Sequence, residues 1–366
     1  MEEKRIIKYT TVDEQIEKLL SRGLEINDLD SARRKLTQYG YYNIINSYKN
    51  PYLIIENNHK HFKSDTSFEQ LFSLFVFDHN LRNAILSAML ALEEHTKALA
   101  SEVLAYSFGT NEKDYLQWKN FRDRRVSHER FGLNSILSSL RKTSLSEKDP
   151  IRYYRTNYGF VPPWILFKGT YFSTVVNFVR LFKEPQKNQL VKLFYNCSDD
   201  LFQSSDIKTL LFNTLSLCLE YRNLAAHGGR VYNYIPDTAV NIQHPDLLLP
   251  LASNIHDLIA PQGLSLLLNM LSLLSYKEPF EIIDETLRAE LNRHLALYEK
   301  DADILGESLN LTLYKEQQDC MIIDGQKFPI TSRIQSDLPG IKLISMSDDL
   351  FNLLNHPSSN NQNDNG

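Results

Sequence analysis

The sequence predicts an all-α fold, and three observations predict it. Apolar residues recur at helical spacing over long stretches: Leu71, Leu74, Phe75, Leu81, Ile85, Met89 and Leu92 make one stripe, and Leu211, Leu215 and Leu219 another. The breaks between these runs carry helix-stop chemistry, at Gly109, Pro162-Pro163 and Gly228-Gly229. One short stretch, 320–329 around Asp324-Gly325, reads as a β-hairpin.

Taken in order, residues 11–50 read as short helices, clearest over 13–20 and 30–39. The tyrosines Tyr39, Tyr41, Tyr42, Tyr48 and Tyr52 follow among basic residues. Such a cluster either stacks bases or packs as an elbow between helices. Residues 59–65 are polar and loop-like. Thr66 and Glu69 have capping-box spacing and open a helix that runs to about 106. Within it Asp78/Arg82 and Glu93/Lys97 stand four apart, the spacing of helix-surface ion pairs. Glu93 or Glu94 could instead orient an arginine across a helix interface. Residues 145–150 read as a loop, 164–182 as an apolar helical run, and 205–227 as a helix with Ser205 and Asp206 as N-cap candidates. Beyond Pro236, residues 247–251 and 264–274 are Leu-rich and read as helical and buried, and 281–300 reads as a charged amphipathic helix. The Asn- and Ser-rich end, from Ser358, predicts disorder. The expected organisation is an N-terminal helical segment 1–60, a central domain 61–235, a C-terminal helical region 236–310, a hairpin-containing tail 311–355 and a disordered 356–366.

Composition excludes several classes. There is no apolar run long enough for a membrane span and no signal-peptide-like start. Three scattered cysteines, Cys197, Cys218 and Cys320, suit a reducing cytoplasm, and none has metal-ligand spacing. No Gly-rich phosphate loop is present, so no metal and no cofactor is expected. Charge is uneven: residues 113–234 hold 19 Lys or Arg against 10 Asp or Glu, net +9, while 235–366 hold 8 against 19, net −11. A basic centre is what a polyanionic ligand needs. Within it Arg122, Arg124 and Arg125, then Arg152 and Arg155 beside Tyr153 and Tyr154, are the candidate RNA track.

The stretch Tyr221-Arg222-Asn223-Leu224-Ala225-Ala226-His227-Gly228-Gly229-Arg230 is the most informative. Metal-free RNA cleavage needs a group that titrates near neutral pH to move a proton at the ribose 2′-oxygen or the leaving 5′-oxygen. It also needs a permanent cation to hold the phosphorane charge. His227 and Arg222 supply both, about 7.5 Å of helical rise apart. Asn223 fixes Arg222 or contacts phosphate. Arg230 and Asn233, just past the helix, are placed to bind backbone phosphate.

Arg222-Asn223-x-x-x-His227, followed by Arg230-x-Tyr232-Asn233, resembles the signature of the HEPN superfamily of ribonucleases. More narrowly it resembles the Abi-like abortive-infection family, the Abi-D/Abi-F group of bacterial phage-defence proteins. Three further stretches match in order: Leu36-x-x-Tyr39-Gly40-Tyr41-Tyr42 with Asn50-Pro51-Tyr52; Phe77-Asp78-x-x-Leu81-Arg82 leading to Leu92-Glu93-Glu94 and Lys97; and Tyr158-Gly159 with Pro163-Trp164. The likeness covers about residues 30–235. Members often carry His-His where this chain has His227-Gly228, so a second His role is absent here. Members also often carry an acidic residue near Lys168. The resemblance implies a HEPN-like helical bundle, metal-independent endoribonuclease activity, homodimerisation and a toxin role in phage defence or a toxin–antitoxin system. Some members are associated with a small structured antitoxin RNA, and type VI CRISPR effectors share the nuclease motif. Glu93, Glu94 and Lys97 are candidate supports of the site. The alternatives are a non-catalytic helical RNA-binding or scaffold protein of the same fold, and a protein silenced by a separate nucleotidyltransferase.

Overall fold

The computed structural model describes residues 9–56, 59–123, 131–311, 313–314, 319–323, 326–336 and 342–345. The expected disorder from 358 and the Asp324-Gly325 turn lie outside these residues. The fold is mainly helical, as the sequence predicts. The chain runs through helices α1 (Val12–Leu20) and α2 (Leu29–Tyr39), then a hairpin of β1 (Leu53–Glu56) and β2 (His59–Phe62). There follow α3 (Phe68–Phe108), α4 (Glu112–Tyr115), α5 (Leu133–Ser144), α6 (Ile151–Tyr158), α7 (Pro163–Leu166), α8 (Phe172–Val179), α9 (Glu184–Tyr195), α10 (Asp199–Phe202) and α11 (Ser205–Ala226). Last come α12 (Ile255–Ile259), α13 (Gly263–Leu273), α14 (Glu278–Leu297), α15 (Ala302–Leu309) and strands β3 (Leu313–Tyr314), β4 (Asp319–Ile323), β5 (Gln326–Ser336) and β6 (Lys342–Ser345). Contacts group the chain into two compact units, 1–81 with 287–366, and 82–286.

In the first unit, α1 opens with a capping box between Thr11 and Glu14, and Asp28 caps α2. Arg33 ties the two together through Asp13 at 2.7 Å. The polar stretch after 59, expected as a loop, is instead strand β2, with Leu53 opposite Phe62 and Glu56 opposite His59. Its partner, and not its own composition, makes it a strand. The expected Thr66/Glu69 capping box does not form. Ser67 Oγ accepts the Gln70 N–H, and the Glu69 carboxylate accepts from the backbone of Asn27 and Asp28. Tyr48 and Tyr52 are buried and donate to Asp78 and Asp301, both at 2.7 Å, and so pack as an elbow. Buried Asp301 also accepts from Gln70 at 2.8 Å and faces His294 Nε2 at 2.8 Å, so its charge is shared among three partners. The 320–329 hairpin is present, with Cys320 opposite Pro329 in the β4–β5 pair. Strands β3 and β6 also pair with β5.

In the second unit, α11 packs against α8, α9 and α13. It buries Leu210, Leu211, Leu215, Leu217, Cys218 and Tyr221. Each fully buried Leu contributes roughly 1.5–3 kcal/mol. Arg180, the C-cap of α8, donates to the Phe212 carbonyl at 2.6 Å and pins α8 to the middle of α11. The later part of α3 buries Ile85, Met89, Leu92, Val103 and Leu104, and ends at Gly109 with φ +83°. A left-handed residue suits a helix end, and glycine adopts it without strain. Helix α11, held in this way, carries the site residues.

Candidate active site

The N-cap of α11 is Ser204, one residue before the candidates read from sequence: its Oγ accepts the Asp206 N–H at 3.1 Å. The carboxylate of Asp206 serves a loop instead, accepting the His244 N–H at 3.3 Å. At the other end, the Gly229 N–H donates to Leu224 O at 2.9 Å and the Gly228 N–H to Ala225 O at 3.2 Å. This pair of bonds is the Schellman closure, and Gly228 takes the left-handed φ of +73° it requires. Gly229 is favoured for a different reason, close packing against Leu224. A Cβ there would stand 2.2 Å from Leu224 Cδ1 and 3.2 Å from the Leu224 carbonyl. His227 is therefore the C-cap residue (φ −93°, ψ 8°), fixed in backbone and exposed in side chain. Arg82 Nη1 reaches the Gly228 carbonyl at 3.3 Å and ties the end of α11 to α3.

Arg222 lies one and a half turns earlier. Its Nε is 3.6 Å from Glu93 Oε2, while Glu93 Oε1 accepts from Lys97 at 2.7 Å. Glu93 is 8 % exposed. Both Arg222 Nε and Glu93 Oε2 are buried and hydrogen-bonded to nothing. They are held together by charge at a separation too long for a hydrogen bond. Glu93 therefore faces Arg222, and Glu94 does not: Glu94 pairs with Lys168 at 2.6 Å on the surface. Five residues of α-helix rotate about 140° beyond one full turn, so Arg222 and His227 leave α11 in different directions.

Beyond the helix the chain folds back. Glu220 accepts the N–H groups of Asp237 at 2.9 Å and Thr238 at 3.0 Å, and the Tyr221 and Tyr234 rings meet edge to face at 5.3 Å. Burial pushes the Tyr221 phenol well above its ordinary range. This clamp holds the segment that exposes Arg230 and Asn233. Glu220 and Arg82 escaped the sequence reading, which took Arg82 as the surface partner of Asp78. Glu220 carries no local signal, because its partners lie 17 and 18 residues on.

The other cationic candidates divide. Arg122 is exposed, and its backbone N–H donates to Leu181 O at 2.8 Å. Arg124 and Arg125 lie outside the described residues, as do His128 and Arg130. Arg152 pairs with Asp149 at 3.1 Å. Arg155 donates to Ser144 O at 3.1 Å, Ser146 O at 2.9 Å and Glu147 at 2.6 Å, so it braces the 145–150 loop. Among the described residues no cluster of His, Cys, Asp or Glu could hold a metal ion, and no helix is long and apolar enough to cross a membrane.

No curated protein and no solved structure matches the chain. A family model described as Abi-like protein matches residues 34–233, more than half of the sequence. The match runs from α2 through the Glu93 region of α3 to the exposed Asn233 that follows the α11 motif. On that span the chain belongs to the Abi-like protein family.

Proposed function

We propose that this protein is a metal-independent endoribonuclease of the HEPN type, acting as the toxin of an abortive-infection or toxin–antitoxin system. The observation that carries the reading is the end of α11: an exposed His227 fixed by a glycine closure, five residues after an Arg222 braced by Glu93. Arg222 neutralises the phosphorane, and His227 moves the proton. Asn223, also exposed, contacts the substrate, and Arg230 and Asn233 bind flanking phosphate. The ribose 2′-oxygen is the internal nucleophile, so the products carry a 2′,3′-cyclic phosphate and a 5′-hydroxyl. The working unit is a homodimer. One chain offers one His227, acid–base cleavage uses two proton transfers, and a twofold axis brings a second motif to the same phosphate. A small structured RNA is the proposed inhibitor.

The test is RNA cleavage and cell toxicity of wild type against His227→Ala, with and without EDTA. The variant should lose about two or more orders of magnitude in rate while remaining folded. EDTA should change nothing. A folded His227→Ala protein that cuts RNA at the wild-type rate refutes the assignment.

A further inference from the structure

Beside the motif lies a cleft of about 550 Å³ between α5, α8 and α11. Its size falls in the roughly 300–1,000 Å³ range of small-ligand pockets. Among the described residues five neutral polar side chains line it: Ser135 and Ser139, four apart on α5; Ser173 and Thr174, in the first turn of α8; and Asn223 of α11. Phe131 also lines it. Among the described residues no hydrogen bond occupies any of these four hydroxyls or the Asn223 amide; where Ser139 and Ser173 do take part, it is through their backbone carbonyls. Among the described residues no charged side chain lines the cleft.

We propose that this cleft is a nucleobase subsite, which seats the base next to the scissile phosphate and sets the base preference of the protein. The proposal rests on the endoribonuclease reading for the identity of the substrate. The described lining holds no cation, and a phosphate would want one. Arg222 and Arg230 are not among its lining residues, which divides the described site into a charged part for backbone and a neutral part for base. Hydroxyl and carboxamide groups both donate and accept, as the edge of an unpaired base requires. An aromatic residue in the lining, Phe131, matches the stacking by which single-stranded RNA bases are held. Asn223 joins the two parts: it borders the cleft and follows Arg222 in the chain.

Binding is read on the full chain carrying His227→Ala, by fluorescence anisotropy with labelled single-stranded ribo-oligomers of A, C, G or U. Two cleft variants are added on that background, Thr174→Val, which removes one hydroxyl at constant shape, and Ser139→Phe, which fills the space. The parent should bind its best homopolymer at least about tenfold more tightly than its worst, the scale of one pair of base-edge hydrogen bonds. Ser139→Phe should abolish that spread, and Thr174→Val should reduce it. Equal affinity for all four homopolymers, no RNA binding at all, or a spread unchanged in both variants overturns the subsite. Cleavage by the His227 protein is measured separately. RNA binding with a cleft-dependent base preference but no cleavage leaves the subsite standing and removes the nuclease reading. Cleavage at sites whose base profile survives both substitutions does the reverse.

Discussion

Glu93→Gln is the sharpest perturbation of the candidate site. The change keeps volume and removes one negative charge, so it opens no cavity. Glu93 serves two cations: Lys97 at 2.7 Å and Arg222 at 3.6 Å. Removing one partner of a fully buried ion pair costs about 3–5 kcal/mol. Here the cost is smaller, because Lys97 is 13 % and Arg222 31 % exposed and a glutamine oxygen can still accept from Lys97. The expected destabilisation is about 2–3 kcal/mol, within the range of a charge-assisted hydrogen bond plus a residual unpaired charge. At about 2–4 °C per kcal/mol for a unit of this size, the thermal midpoint falls by about 4–12 °C. Denaturant unfolding of double-mutant cycles with Lys97→Met and Arg222→Met should then divide the effect. The Lys97 coupling should be the larger, because Arg222 Nε and Glu93 Oε2 make no hydrogen bond. In cleavage assays kcat should fall further than RNA affinity, because a loosened Arg222 still attracts phosphate but no longer meets the transition state. A loss below about 0.5 kcal/mol, of the order of an exposed pair, or an Arg222 coupling larger than that of Lys97, refutes the reasoning.

The other expectations are briefer. Gly229→Ala drives a Cβ into Leu224 and should cost about 1–3 kcal/mol with an additional loss of cleavage, read by unfolding and activity together; a stable, fully active variant removes the argument that the closure positions His227. Burial holds the His95 imidazole below its ordinary value, so the unfolded chain binds the extra proton first and stability is lost as pH falls below about 6.5; the denaturant midpoint should drop less between pH 7.5 and 5.5 in His95→Phe, which keeps the ring contacts with Phe194 and Tyr276. RNA affinity should fall steeply between low and moderate salt, and Arg122→Glu, Arg124→Glu and Arg125→Glu together should flatten that slope without unfolding the protein. Dimers mixed from Arg222→Ala and His227→Ala subunits should remain poorly active, and full activity from a demonstrated monomer eliminates the shared site.

What was legible in the sequence was local chemistry. The end of α11 was readable because glycine pairs close helices through bonds that span a few residues, and His227 was placed at that end by counting. The Leu211, Leu215 and Leu219 spacing gave the helix itself. What escaped depended on partners distant in the chain. Thr66 and Ser67 are both competent caps. Ser67 takes the role while the Thr66 carbonyl accepts from Glu25. Glu69 leaves its capping box for backbone groups some forty residues earlier. β2 is polar and became a strand only through its register with β1. Arg155, read as part of the candidate RNA track, closes instead onto carbonyls 9 and 11 residues back. Of the three supports considered, sequence spacing could not separate Glu93 from Glu94. Adjacent helical positions differ by about 100°, and only the position of α11 decides which of them faces Arg222.

That rotation also governs how the site can work. A helix places side chains on one face at intervals of three or four, and the motif uses five. Arg222 is therefore turned toward α3 and half-sheltered beside Glu93, while His227 stands in solvent at the helix end. The separation suits each group to the task proposed for it. A guanidinium that must meet a short-lived phosphorane gains from being fixed by a buried carboxylate. An imidazole that must exchange protons gains from contact with water. The cost of dividing them is that α11 alone does not aim both groups at one atom. In the proposed dimer a second motif related by a twofold axis restores convergence: both copies of Arg222 and both copies of His227 serve one phosphate, so damage to either motif impairs the shared site.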